Sequence, residues 1–347
     1  MGNRIAIVRA AHLLDYLAVM RGFGAPVERD LERSLLPPSV EETPELYVSV
    51  PLALEWVARC GRDVEPMELG FRAARTASLA SLKPSHQAAI IGGQTGLDRI
   101  KALLCVARLE DSDFRGTLRA EGDQVRVFCG TAQLERHPFI CFAEWLNLQG
   151  VISVLRSVAG QMWCPHEICF VTRYPPTQII REAFPNTRIL VAQPHTSILV
   201  DRTDLALPTH DAAPQALSLV DRLDDPAEQW TFASLLRQVV QPYLNDSRLD
   251  LAMTADMVGM SKRTLQRRLG QCHLSFSDVR QEARFNAART LLEDPKAKII
   301  DVAIMTGYEN PQHFTRAFRR HTGVTPTIYR RKLAARRDGV NASMICK

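Results

Sequence analysis

Two stretches near the C-terminus carry apolar residues at helical spacing. In the first, Leu265 and Leu269 stand four apart and share one face of a helix. Ser261 is placed to cap its start, Gly259 ends a shorter helical pattern before it, and Gly270 is placed to close it. Arg263, Gln266 and Arg267 lie on the opposite face, with Lys262 and Arg268 flanking them. Some fifty residues on the pattern returns. Ile299 to Gly307 repeats the first helix and turn, Asn310 is an N-cap and Pro311 sits at the first helical position, where its missing N–H costs nothing. Phe314 and Phe318 form the apolar pair, and Gln312, Thr315, Arg316 and Arg319 line the other face beside His313 and Arg320. The chain thus predicts two helix-turn-helix units, at about 251–271 and 299–321. Ser275 to Asp294 reads as one helix between them, with capping-box spacing from Ser275 to Asp278 and Pro295 as its stop.

Upstream, helical periodicity covers 4–21, 26–34, 50–60, 66–74 and 97–109. It then gives way to a hairpin, 114–120 and 124–129 about Glu121-Gly122-Asp123. A helix at 139–159, a strand at 167–173, a short helix at 178–184 and closing strands at 189–191 and 196–201 follow. The predicted fold class is an α+β N-terminal sensor domain, a small antiparallel sheet with helices around it. An all-α C-terminal domain follows, its two helix-turn-helix units joined by a long helix. The boundaries fall at 1–205 for the first domain, 206–228 for a proline- and aspartate-rich linker with a helix at 212–223, 229–335 for the second domain and 336–347 for a tail.

Charge separates the same two parts. The net charge of +5 hides 20 Lys and Arg against 10 Asp and Glu from Thr231 onward, and 23 against 28 before it. A basic module joined to a mildly acidic one fits binding of a polyanion by the first alone. Guanidinium and amide groups interleaved on a helix face are those that bond guanine, adenine and phosphate. A twenty-residue helix rises about 30 Å, and successive major grooves on one side of B-DNA lie about 34 Å apart. One chain can then set two recognition helices in adjacent grooves.

The eight cysteines are scattered without a C-x-x-C pair, which fits reduced cysteine in the cytoplasm and neither a disulfide frame nor a metal site. No run of eighteen apolar residues suggests a membrane span, and the start, carrying Arg9 and Asp15, reads as a helix and not a signal peptide. Gly92-Gly93 lacks the further glycine and lysine of a phosphate loop. Cys164 and His166 are two residues apart, so on a strand they would share a face, but a loop entering a strand is the simpler reading of them. No cofactor, catalytic constellation or enzyme activity is predicted. Trp145, Trp163 and Phe170 are candidates for lining a ligand pocket, though such residues more often fill a core.

The segment from about Phe232 to Lys332 resembles the DNA-binding domain of the AraC/XylS family of bacterial transcription regulators. The run Phe314-x-Arg316-x-Phe318-Arg319-Arg320-x-x-Gly323-x-Thr325-Pro326-x-x-Tyr329-Arg330 is similar to that family's signature, as is Ala255-x-x-Val258-Gly259-Met260-Ser261-x-Arg263-Thr264-Leu265-Gln266-Arg267 in the first unit. By position the resemblance implies base contacts from Arg263, Gln266, Arg267, Gln312, His313 and Arg316. Lys262, Arg268, Asn310, Thr315, Arg319 and Arg320 complete the expected DNA surface. The N-terminal layout is similar to the effector domains of the relatives of ornithine- and virulence-related regulators. The implied partners are promoter DNA, RNA polymerase, a small-molecule effector and a second copy of the chain. An N-terminal domain that only dimerises, or a thiol enzyme built on Cys164, are the alternatives.

Overall fold

The computed structural model describes residues 5–77, 79–209 and 230–345. The chain divides into two compact units, Met1–Phe232 and Ala233–Lys347.

The N-terminal unit opens on a strand. Ile5 and Ile7 are buried side by side, and β1 (Ile7–Arg9) pairs antiparallel with β2 (Tyr47–Ser49) in a two-stranded sheet. The helix expected from residue 4 therefore begins only at Ala11, as α1 (Ala11–Gly22). The backbone of residues 5–9 is held by other strands and loops: Val50 N–H donates to Ala6, Ser112 N–H to Ile7. Next come α2 (Val27–Glu32), α3 (Val50–Cys60), α4 (Pro66–Thr76), α5 (Pro84–Ile91) and α6 (Gly96–Glu110). Of these, α5 and the two short strands escaped the sequence reading. Thr95 caps α6, accepting from Asp98 N–H at 3.2 Å.

The hairpin β3 (Phe114–Glu121) and β4 (Gln124–Thr131) turns at Gly122, whose φ is 63°. After α7 (Cys141–Ala159) come β5 (Glu167–Cys169), α8 (Gln178–Ala183), β6 (Arg188–Leu190), β7 (Ser197–Asp201) and α9 (Arg202–Ala206). The five-stranded sheet runs β3-β4-β7-β5-β6, antiparallel except for β5 with β6. The strand expected over 167–173 stops at Cys169. Val171 and Thr172 donate their N–H groups to the buried Glu144 carboxylate on α7, at 2.6 and 3.2 Å, so a side chain replaces the sheet partner. Phe142, Trp145, Leu148, Val151, Ile152 and Leu155 of α7 are all buried, which makes this helix the middle of the core. Each such side chain stabilises by about 1.5–3 kcal/mol. The linker helix expected at 212–223 lies outside the described residues.

The C-terminal unit is helical: α10 (Phe232–Val240), α11 (Leu251–Met257), α12 (Lys262–Gln271), α13 (Phe276–Leu291), α14 (Ile299–Met305), α15 (Pro311–Thr322) and α16 (Pro326–Ile345). Three sequence details change here. Gly270 lies inside α12, which Cys272 caps. α16 runs on to Ile345, through the stretch read as a tail. The spacer α13 has 16 residues, a rise of about 24 Å where the sequence suggested about 30 Å. Asp294 precedes a proline and is kept from helical geometry, and Leu292 already closes the last turn through Ala288 and Thr290.

Candidate nucleic-acid interface

The two helix-turn-helix units share the same backbone path at the turn. Gly259 and Gly307 take φ of 62° and 77°, the left-handed region that glycine enters without strain. Met260 N–H returns to Ala255 at 2.9 Å, and Tyr308 N–H returns to Ala303 at the same distance. Different threonines back the two turns: Thr254, five residues before Gly259, and Thr306, the residue before Gly307, are both fully buried and donate their hydroxyls to Asp250 and Val302 at 2.7 Å.

Each recognition helix then starts on the cap the sequence predicts. Ser261 accepts from Thr264 N–H at 3.2 Å, and Asn310 accepts from Gln312 N–H at 2.7 Å. Leu265 and Leu269, and Phe314, Ala317 and Phe318, face the core. Lys262, Arg263, Gln266 and Arg267 are exposed on α12, with Arg268 half-buried. Gln312, His313, Arg316, Arg319 and Arg320 are exposed on α15. Among the described residues, Lys262, Arg263, Arg267, Arg316, Arg319 and Arg320 have no carboxylate within 4.0 Å, whereas Arg248 nearby is paired to Asp246 at 2.8 Å. Six cations without counter-ions on two outward faces are free to meet phosphate and base edges. Two residues of the expected surface have other work. Asn310 holds the helix start, and the half-buried Thr315 donates its hydroxyl to Pro311 at 2.9 Å.

The spacer fixes the second unit in place. Arg284 on α13 donates to the Gly307 carbonyl at 2.9 Å and lies 4.7 Å from the Tyr308 ring centre, and Gln281 donates to the Tyr308 hydroxyl at 2.8 Å. Phe285 packs on Phe318 and His321 with ring centres 5.5 and 4.1 Å apart. Sequence reading missed these positioning residues; the signal was the placement of Gln281, Arg284 and Phe285 along one helix next to an aromatic-rich repeat.

The N-terminal unit holds a partly open cavity of about 150 Å³ between α1, α3, α6, α7 and the first residues of the hairpin. Its wall is mostly apolar, with Leu54, Leu104 and Phe142 among its residues, and its polar groups include His12, Glu110 and Asp111. Glu110, at the end of α6, accepts from Arg9 at 2.9 Å and meets His86 Nδ1 at 2.6 Å and His12 Nε2 at 3.3 Å. Burial works to raise this carboxyl, but the bonds from His12 and His86 and the charge of Arg9 outweigh it and hold the group well below the usual carboxylate range.

Trp145, Trp163 and Phe170, the candidates for a ligand pocket, do not line this cavity. Trp145 and Phe170 are fully buried core, their ring centres 4.8 Å apart, and Trp163 donates its indole N–H to Asp204 at 2.7 Å. The cavity is walled instead by residues brought together from helices, strands and loops distant in sequence, which no local pattern could reveal.

Cys164 and His166 do not form a pair. The Cys164 sulfur faces the Ala183 carbonyl at 3.9 Å, and His166 Nε2 meets Asp201 at 2.7 Å. Cys164→Ser should therefore leave DNA affinity within about twofold of the parent, as for a change away from any strained or buried network. A band-shift titration checks this; loss of binding by a folded variant would give the thiol a role.

No helix among the described residues is long and apolar enough to cross a membrane. A sequence profile described as "Helix-turn-helix domain" matches residues 254–332, and one described as "Arabinose-binding domain of AraC transcription regulator, N-term" matches 24–209. The transcriptional regulator VirS of Mycobacterium tuberculosis is 25% identical over 339 residues, covering 94% of this chain and 96% of the relative. SirC of Salmonella typhimurium is 37% identical over 82 residues, 24% of this chain and 28% of that one. The solved regulator CdpR of Pseudomonas aeruginosa covers 92% of this chain and 96% of its own at 21% identity, with a TM-score of 0.44. With profiles matching both units, and the N-terminal one alone spanning more than half its length, this chain belongs to the AraC family of DNA-binding transcription regulators.

Proposed function

We propose that the chain controls transcription by reading two adjacent turns of promoter DNA, one with each helix-turn-helix unit, under the control of a small effector held in the N-terminal unit. The observation that carries the first half is the pair of outward faces bearing cations without counter-ions. In this reading Arg263, Gln266 and Arg267, then Gln312, His313 and Arg316, reach base edges, because residues early in a recognition helix enter the groove. Lys262, Arg268, Arg319 and Arg320 hold phosphates. Asn310 and Thr315 act chiefly by holding the start of α15 in shape. The cavity supports the second half: apolar with a few polar groups, it has the character of a small-molecule site. The protein works in the cytoplasm, meets RNA polymerase at the promoter, and pairs with a second copy of itself where two sites adjoin.

The test separates the two classes of contact. On duplexes selected from a random pool by the full chain, Arg267→Ala and Arg316→Ala should each weaken specific binding by about 1–3 kcal/mol and relax the preference at one base position. Arg320→Ala should weaken selected and scrambled duplexes alike and lower the salt slope by about one. Equal loss of discrimination in both classes would overturn the sorting.

A further inference from the structure

We propose that the cavity against α6 takes a compact, largely apolar molecule with one hydrogen-bond-donating head, an alcohol or an amine, set against the carboxylates of Glu110 and Asp111. The inference rests on the reading of the N-terminal unit as the effector-holding one and names what it holds.

Size comes first. A cavity of about 150 Å³ matches the volume that in other cores accepts a single aromatic ring. Most of the wall around that space is apolar, Ala53, Leu54, Leu104 and Phe142 among it, and offers contact. Tyr16 also lines it, but its hydroxyl is already given to the Phe142 carbonyl at 2.9 Å.

Sign comes second. Two carboxyl groups line the cavity at the end of α6, but Arg9, the cation paired with Glu110, and His86, whose Nδ1 meets Glu110 at 2.6 Å, do not. Arg9 stands outside the wall, buried, with both hydrogen bonds directed onto the Glu110 oxygens at 3.1 and 2.9 Å. His12 does line the cavity, but its Nε2 is turned onto Glu110 at 3.3 Å. An anionic head would find Arg9 already committed to Glu110 and would face a carboxylate, which is disfavoured. A hydroxyl or ammonium head would instead donate to it. Asp111 suits the same guest: burial pushes its carboxyl up to about 7, and a donor set beside it is favourable for the ionised form.

The turn that carries Glu110 also leads out of the cavity. The carbonyl of Arg108 accepts the Trp230 indole N–H at 2.6 Å. The Trp230 ring stands edge-on to Tyr47 at 5.4 Å, and the Tyr47 hydroxyl donates to Leu109 at 2.9 Å. Trp230 lies three residues before the second compact unit begins at Ala233. A guest that shifts the last turn of α6 therefore shifts the residue that fixes where the chain leaves this unit.

The experiment uses the full chain and four ring probes of matched size: benzylamine, benzyl alcohol, toluene and benzoate. Thermal unfolding and calorimetric titration should show saturable binding of benzylamine or benzyl alcohol, at least about tenfold tighter than benzoate; one tenfold step is a small share of what a buried charge clash costs. Benzylamine alone identifies an amine head, and both together identify the shared donor. Ala107→Phe, which places a ring where the cavity lies, should remove the binding while circular dichroism and the unfolding temperature show a folded chain. Glu110→Gln should weaken benzylamine about tenfold. Benzoate binding as well as benzylamine would overturn the head assignment, and unchanged probe binding in Ala107→Phe would overturn the site. Probe binding that leaves affinity for selected DNA unchanged would keep the site and overturn the effector reading. Trp230→Phe should keep probe binding and reduce its effect on DNA affinity; an undiminished effect would overturn this route.

Discussion

Gly307→Ala should destabilise the C-terminal unit by about 3 kcal/mol or more, while Gly259→Ala, the same change in the sister turn, should cost only about 1–2 kcal/mol. Both glycines are in the left-handed region, at 77° and 62°, and a Cβ there costs about 1–2 kcal/mol by itself. The surroundings differ. A Cβ at Gly259 meets nothing within 4 Å, but at Gly307 it would lie 2.1 Å from the Leu244 carbonyl oxygen and 3.2 Å from Arg284. The oxygen belongs to backbone and cannot swing aside as a flexible side chain would. Either the segment at Leu244 moves or the turn opens and breaks the bond from Arg284 to the Gly307 carbonyl. Overpacking of this kind adds about 1–3 kcal/mol to the strain. Thermal unfolding of the two variants, with DNA binding measured in parallel, checks the difference. Equal costs would show that the second turn is not locked to its neighbours as described.

The C-terminal unit was legible because its determinants are local. Ser261, Ser275 with Asp278, and Asn310 each announce a helix start within three residues, and each makes the predicted bond. The pairs Leu265/Leu269 and Phe314/Phe318 state which face is inward. What the sequence hid even here was packing: Gly270 lies within a helix because Cys272 closes it, and the spacer is shorter because its last turn ends before the proline constraint.

In the N-terminal unit the determinants are distant. A three-residue strand such as Ile7–Arg9 shows no alternation to read, and its partner is some forty residues away. Glu144 ends a strand by accepting from backbone 27 residues on. Arg9 and Glu110, 101 residues apart, neutralise each other in the interior, so a charge that broke an apolar run was in fact a core residue. Aromatic residues drew attention as ligand candidates because they are large. In the structure, that size is used to fill the core around Trp145, which meets Phe71, Phe170 and Phe184.

The second large effect concerns the helical phase of the DNA. Both recognition helices belong to one compact unit, and α13 joins them with a rise of about 24 Å. Its bonds and ring packing to Gly307, Tyr308, Phe318 and His321 leave the second helix no freedom to follow a displaced half-site. Five inserted base pairs turn the second half-site by about half a turn and carry it about 17 Å further along the duplex. One helix-turn-helix unit must then release its bases. Giving up two or three base-reading side chains costs about 1–3 kcal/mol each, and phosphate binding at the new position offsets part of that. Specific affinity should therefore fall roughly 100- to 1000-fold. A ten-pair insertion restores the face of the helix but not the distance, so it should cost as much.

The decisive measurement is therefore a titration of the full chain against three duplexes: the selected site, the site with five base pairs inserted between its halves, and the site with ten. Two readers held rigidly in one chain predict tight binding to the first and roughly equal, large losses on the other two. Recovery of affinity with the ten-pair insertion would mean that the halves are read by flexibly joined or separate bodies. Indifference to both insertions would mean that only one unit reads DNA.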